Sequence, residues 1–164
     1  MALNLNSKKQ IVEEVAAEVA ESVSMVAAEY RGLTVDQMTQ LRANAREANV
    51  AVRVVKNTLA KRAVEGTQFE HMAEAMTGPV VLFFAKEFQN SAARVCKDFA
   101  RENNALVVKG LSIGEEFLDA TQLDMVSRIP TRDEAISMLM AVMKAPVGKL
   151  ARTLAAVRDQ KEAA

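Results

Sequence analysis

Apolar residues along the chain switch repeatedly between a helical period and a strand period. Ile11, Val12, Val15 and Val19 stand at helical spacing. Ser7-Lys8-Lys9-Gln10 fits a capping box, in which Ser accepts from the third backbone N–H and Gln reaches back. Together they predict a first helix over about 7–21. Val23, Met25 and Ala27 then alternate with Ser22, Ser24 and Val26, which predicts a strand to about residue 30. Arg31-Gly32 supplies a turn. Thr34-Val35-Asp36-Gln37 is a second capping box, with Leu33 and Met38 placed as a hydrophobic staple. The helix it opens runs to about residue 49, with Met38, Leu41, Ala45 and Ala48 on one face. Val50, Val52 and Val54 alternate with Ala51, Arg53 and Val55, a second strand, and Asn57 is placed to cap a short helix carrying Leu59, Lys61 and Arg62.

Gly66 and Thr77-Gly78-Pro79 punctuate the middle of the chain, with a short helix over about 68–76 between them. The continuous apolar run 80–84 is bounded by Gly-Pro and predicts a buried strand. A helix over about 91–101 turns Ala92, Val95 and Phe99 inward. A fourth strand spans about 105–111, closed by Gly110 and Gly114, and a short helix over about 121–128 ends before Pro130. The order is one helix followed by two strand–helix–strand units. Such units form one sheet with helices packed on a face: an α/β, ferredoxin-like sandwich of a mainly four-stranded sheet. It fills a globular domain, 1–130.

A different object follows, 131–164. Thr131-Arg132-Asp133-Glu134 is a third capping box. Ile136, Met138, Leu139, Met140, Ala141, Val142 and Met143 then leave almost no polar face, and a helix apolar all round must be covered. No strand remains for it to cover. The pattern around Ile136, Met140 and Met143 returns 14 residues later around Leu150, Leu154 and Val157. Pro146 lies between the copies and is expected to kink or break the protruding helix. Two similar apolar sites in tandem fit two copies of one partner; a coiled-coil or core helix that happens to repeat is the other reading.

Composition sharpens this picture. Half of the 164 residues are hydrophobic, but aromatics make only 4%. Net charge is zero, 21 basic against 21 acidic residues, which excludes a uniformly basic coat protein. The average hides a segment. Residues 31–62 hold seven cations (Arg31, Arg42, Arg46, Arg53, Lys56, Lys61 and Arg62) against Asp36 and Glu47. Such local asymmetry is the footprint of a phosphate-binding face, or of a solvated helix face. The cations come from a turn, a helix, a strand and a helix start, so convergence on one face is expected. Asn57 and Thr58 add backbone N–H donors at a helix start.

No catalytic constellation accompanies these surfaces, so an enzyme is not expected, nor a metal or cofactor. His71 is the only histidine and has no second ligand at zinc-binding spacing. The single Cys96, beside Val95 and near Phe99, reads as a small buried thiol and excludes an intramolecular disulfide framework. Gly110 and Gly114 lack the Lys-Ser/Thr of a phosphate loop. No apolar run reaches the roughly 18 residues of a membrane span, and no secretory signal pattern opens the chain. A cytoplasmic protein is expected.

Tyr30-Arg31-Gly32-Leu33-Thr34, then Arg53-Val54-Val55-Lys56-Asn57-Thr58-Leu59, resembles the bacterial large-subunit ribosomal protein of the stalk base, the "L-ten" family. Lys149-Leu150 with Thr153-Leu154-Ala155-Ala156-Val157-Arg158 resembles that family's tail. The resemblance covers essentially the whole chain. It implies a non-enzymatic scaffold whose first domain anchors on large-subunit ribosomal RNA beside the neighbouring "L-eleven" protein. Its C-terminal helix would carry dimers of the acidic multicopy stalk protein, two being expected from the repeat, and these recruit translational GTPases. It also implies possible repression of the protein's own messenger. The expected RNA contacts are Arg31, Gly32, Arg42, Arg46, Arg53, Lys56, Asn57, Thr58, Lys61 and Arg62. The expected stalk-protein contacts are Ile136, Leu139, Met140, Met143, Leu150, Leu154 and Val157. A purely protein-binding adaptor with no RNA contact is the competing reading.

Overall fold

The computed structural model describes residues 4–114 and 116–162. The expected segment ends at 1–3 and 163–164 lie outside the described residues. The chain divides into two compact units, the first ending at Ile129 and the second beginning at Pro130.

Helix α1, Leu5–Glu21, starts two residues earlier than the Ser7 box predicts. Asn4 takes the cap, its side chain accepting from the Leu5 N–H at 2.7 Å, so Ser7 lies inside the helix. The second box forms as read: the Gln37 N–H donates to Thr34 Oγ1 and the Thr34 N–H donates to Gln37 Oε1, opening α2, Val35–Glu47. Between these helices runs β1, Ser24–Glu29, and after them β2, Val50–Arg53. β2 stops two residues short of the predicted end because the chain must leave the sheet edge for α3, Asn57–Val64. A 3-10 turn, Glu70–Ala73, replaces the expected helix at 68–76. Next come β3, Val80–Ala85, α4, Ser91–Glu102, and β4, Val107–Ile113.

A fifth strand, β5, Glu116–Asp119, was not read from the sequence. It pairs back on β4 after Gly114 and precedes the short α5, Leu123–Ser127. Gly110, read as a terminator, lies inside β4. A Cβ there would stand 2.8 Å from the Phe117 ring of β5, so glycine makes room for its neighbour instead of ending the strand.

The sheet order is β2-β3-β1-β4-β5, with every neighbouring pair antiparallel. The first four strands have the ferredoxin-like order. Helices α2 and α4 cover one face through Leu41, Ala45, Ala92, Cys96 and Phe99. The other face is also covered, which the expected sandwich lacks: α1, α3 and the 3-10 turn bring Val15, Val19, Ala60, Val64 and Met72 onto it. This explains the unbroken apolar run of β3. Phe83 and Phe84 are successive, so they point to opposite faces, and each is fully buried. Burying each stabilises by about 1.5–3 kcal/mol.

The end of the first unit is clamped to α4. Asn90 donates from its amide to the Ile129 carbonyl, Arg94 Nε donates to the Ser127 carbonyl at 3.1 Å, and Lys97 donates to Ser127 Oγ at 2.9 Å.

The second unit is α6, Arg132–Glu162, opened by the third capping box: the Thr131 N–H donates to Glu134 Oε2 and the Glu134 N–H donates to Thr131 Oγ1. The break expected at Pro146 is not there. α6 runs as one helix with Pro146 inside it, since the ring costs the single hydrogen bond to the Val142 carbonyl and the turns on both sides continue.

Candidate nucleic-acid and protein interfaces

Three loops meet at the end of the sheet where β1 and β2 finish and β3 begins. The Arg31-Gly32 turn needs glycine, since Gly32 has φ +95°. The Tyr30 N–H donates to the Pro79 carbonyl at 3.3 Å, tying this turn to the 77–79 loop. Asn57 does not cap α3. Lys56 holds the N-cap position, and Asn57 Nδ2 instead donates to the Gly78 carbonyl at 2.8 Å. Lys109 closes the cluster, donating to the Thr77 carbonyl at 2.7 Å and pairing with Glu29 at 3.0 Å. Arg31, Gly32, Lys56 and Thr58 are exposed on this end, while Asn57 is half-buried.

The seven cations of 31–62 do not converge on one face. Arg42 and Arg46 are exposed on α2, in the layer opposite α3. Arg46 reaches the far end of the sheet, beside Asn49 and Lys86. Lys61 and Arg62 ride on α3, Lys61 half-buried and Arg62 exposed. The reason is topological: successive helices after β1 and β2 go to different faces. Arg53 is already engaged. Its guanidinium makes a bidentate pair with Glu18, Nε–Oε1 2.9 Å and Nη2–Oε1 2.7 Å. The hydrogen bonds and charge of Glu18 push the Arg53 pKa further up. Among the described residues Arg31, Arg42, Arg46, Lys56, Lys61 and Arg62 make no ion pair.

Reading 31–62 as a self-contained segment missed two cations. Lys8 and Lys9 on α1 border the same depression as Arg62. Their signal was present at the first helix but lay in a segment of net negative charge.

Along α6, every residue of the expected partner face is exposed: Ile136, Leu139, Met140, Met143, Leu150, Leu154 and Val157. Because the helix is continuous, Val147, 72% exposed, joins them. Ile136, Met140, Met143, Val147, Leu150, Leu154 and Val157 alternate steps of four and three, one seam through Pro146. It extends about 31 Å along the axis at 1.5 Å per residue. Lys144, Lys149 and Arg152 stand exposed around it without ion pairs among the described residues. No described helix is long and apolar enough to cross a membrane.

An α/β domain that bears exposed cations is followed by a helix with an exposed apolar seam, an arrangement of surfaces and not of catalytic groups. The family profile of ribosomal protein L10 matches residues 3–101, and that of the ribosomal protein uL10 C-terminal region matches 129–164. The "Large ribosomal subunit protein uL10" of Hydrogenovibrio crunogenus (strain DSM 25203 / XCL-2) is 61% identical over 163 residues, covering 99% of this chain and 98% of its own. Its counterpart in Thioalkalivibrio sulfidiphilus (strain HL-EbGR7) is 55% identical over 174 residues, and that of Alcanivorax borkumensis (strain ATCC 700651 / DSM 11573 / NCIMB 13689 / SK2) is 51% identical over 175; each covers at least 99% of both chains. The chain belongs to the ribosomal protein L10 family, a structural family of the large ribosomal subunit and not an enzyme family.

Proposed function

We propose that this chain forms the base of the large-subunit stalk on cytoplasmic ribosomes. Its first unit anchors on large-subunit ribosomal RNA, next to the "L-eleven" protein, using exposed cations of 31–62 with Gly32 and Thr58. Since those cations occupy both layers, one RNA surface engages a subset of them. The half-buried Asn57 serves by holding the 77–79 loop. The second unit carries dimers of the acidic stalk protein, which bring translational GTPases to the ribosome. Free protein binding its own messenger would repress translation through the same RNA surface.

The observation that carries this reading is the bare seam of α6. Seven exposed apolar side chains at coiled-coil spacing are a surface suited to a partner. The unpaired Lys144, Lys149 and Arg152 around it favour an acidic one. The test is native mass spectrometry of the full chain mixed with the acidic stalk protein and with a transcript of the stalk-base rRNA. A ternary complex holding two stalk-protein dimers is the expected mass. Absence of any stalk-protein complex overturns the reading of α6, and absence of RNA leaves the adaptor reading in its place.

A further inference from the structure

The line where α1 crosses α3 is a shallow groove of two depressions that share Leu59. One, about 260 Å³, has a floor of Leu5, Val12 and Leu59. Lys8, Lys9 and Arg62 rim it, with Glu13 as the one carboxylate. The other adds Lys56 and Glu14, with Arg53, which Glu18 already neutralises.

The groove combines two features. The first is clustered charge: Arg31, Arg42, Arg46 and Lys61 are also without ion pairs among the described residues, but Lys8, Lys9, Lys56 and Arg62, equally unpaired, line one groove together. The second is the apolar floor, in which Leu5 is 63% exposed. A cationic rim over an apolar floor suits a nucleotide, phosphate on the rim and base face on the floor. Ile11, Val15, Val54 and Val55 add apolar lining in the second depression, and it is the cations of the rim that favour a phosphate-bearing strand over an amphipathic protein helix.

We propose that the α1–α3 groove is the RNA-facing side of the first unit. Lys8, Lys9, Lys56 and Arg62 hold the phosphates of one strand, and the floor of Leu5, Val12 and Leu59 receives one unstacked base. Arg42 and Arg46, on the opposite layer, face away from the RNA. This rests on the ribosomal RNA reading above and adds which face is used and that α1 takes part.

The test is fluorescence anisotropy of the full chain on a transcript of the large-subunit GTPase-associated region, between about 50 and 200 mM salt. Each lost phosphate contact flattens the log–log salt slope by about 0.7–0.9. The combined Lys8→Gln, Lys9→Gln, Arg62→Gln variant is expected to flatten it by about two to three and to weaken binding roughly 30-fold or more. Leu5→Ser, which removes no charge, should weaken binding about tenfold with the slope unchanged, the size of part of a leucine's apolar burial. Arg42→Gln with Arg46→Gln should stay within about threefold of wild type, slope intact. If the α2 pair flattens the slope and the groove variant does not, the assignment is overturned. Equal flattening by both overturns it as well. A wild-type chain without salt-dependent binding removes the ribosomal RNA reading itself. Should the triple variant melt early, Lys9→Gln alone replaces it, with an expected slope change of about one.

Discussion

Gly110 of β4 lies directly beneath the ring of Phe117 of β5: a Cβ on Gly110 would stand 2.8 Å from Phe117 Cε2 and 3.4 Å from Ala75 Cβ. The ring is the far end of a half-exposed side chain, so it can swing aside, at the expense of its packing. Gly110→Ala should destabilise by about 1 kcal/mol and Gly110→Val by more. In Phe117→Ala the glycine substitution should cost much less, a non-additivity that denaturant titration of the double-mutant cycle reads directly.

The seam of α6 makes a stoichiometric prediction. Replacing Leu150, Leu154 and Val157 by Asp should remove one partner dimer and leave the one around Ile136, Met140 and Met143. Native mass spectrometry counts them. Val147→Asp falls between the two sites. If it removes neither dimer, the sites stop short of Pro146; if it removes one, they abut there.

Cutting after Pro130 should leave a cooperatively folding domain. Both buried clusters draw only on residues between Val15 and Val126, and the Asn90, Arg94 and Lys97 clamp on Ser127 and Ile129 survives the cut. A single thermal transition is expected. A fragment without one would show that α6 contributes to the core.

Cys96 is fully buried, and desolvation pushes its thiol far above the ordinary range. Thiol reagents at neutral pH should therefore modify it only through unfolding. Labelling rates should rise with urea in parallel with global unfolding. Rapid labelling of the native chain would contradict the burial.

Acid should cost stability through Asp124. The hydrogen bond from Lys97, then its charge, holds this carboxyl below the usual value. A depressed folded pKa means that the contribution is present above the unfolded value, about 3.9, and is lost as pH falls through the folded one. Asp124→Asn should lower Tm slightly near neutrality and change little at low pH, so the acid limb of a Tm–pH profile flattens. Glu21, held down by Lys86, acts in the same sense.

Local chemistry was legible in the sequence wherever its partners were close in the chain. Thr34 with Gln37 and Thr131 with Glu134 form their boxes as read. Ser7 misled because a better cap, Asn4, stood just upstream. Gly110 misled because its reason is a ring from a strand too short and too polar to show a pattern. The cations of 31–62 looked like one face because sequence proximity says nothing about which side of the sheet each helix takes. Val147 joins the seam only because the helix continues through Pro146, and a proline beside it predicts the opposite.

The place of β1 sets the timing of this protein's own synthesis. Its Ser24 pairs with Ala85 on one side and Ile113 on the other, so the central strand is made early and is completed last. At about 5–20 residues per second, roughly 4–17 s separate translation of Glu29 from that of Ile113. Until Ala85 has been made this strand, apolar on both faces, has neither neighbour, and from then until Ile113 it still lacks one. Folding is consequently a late event, governed by non-local pairing, and the bare seam of α6 emerges only after the domain that precedes it can already have closed.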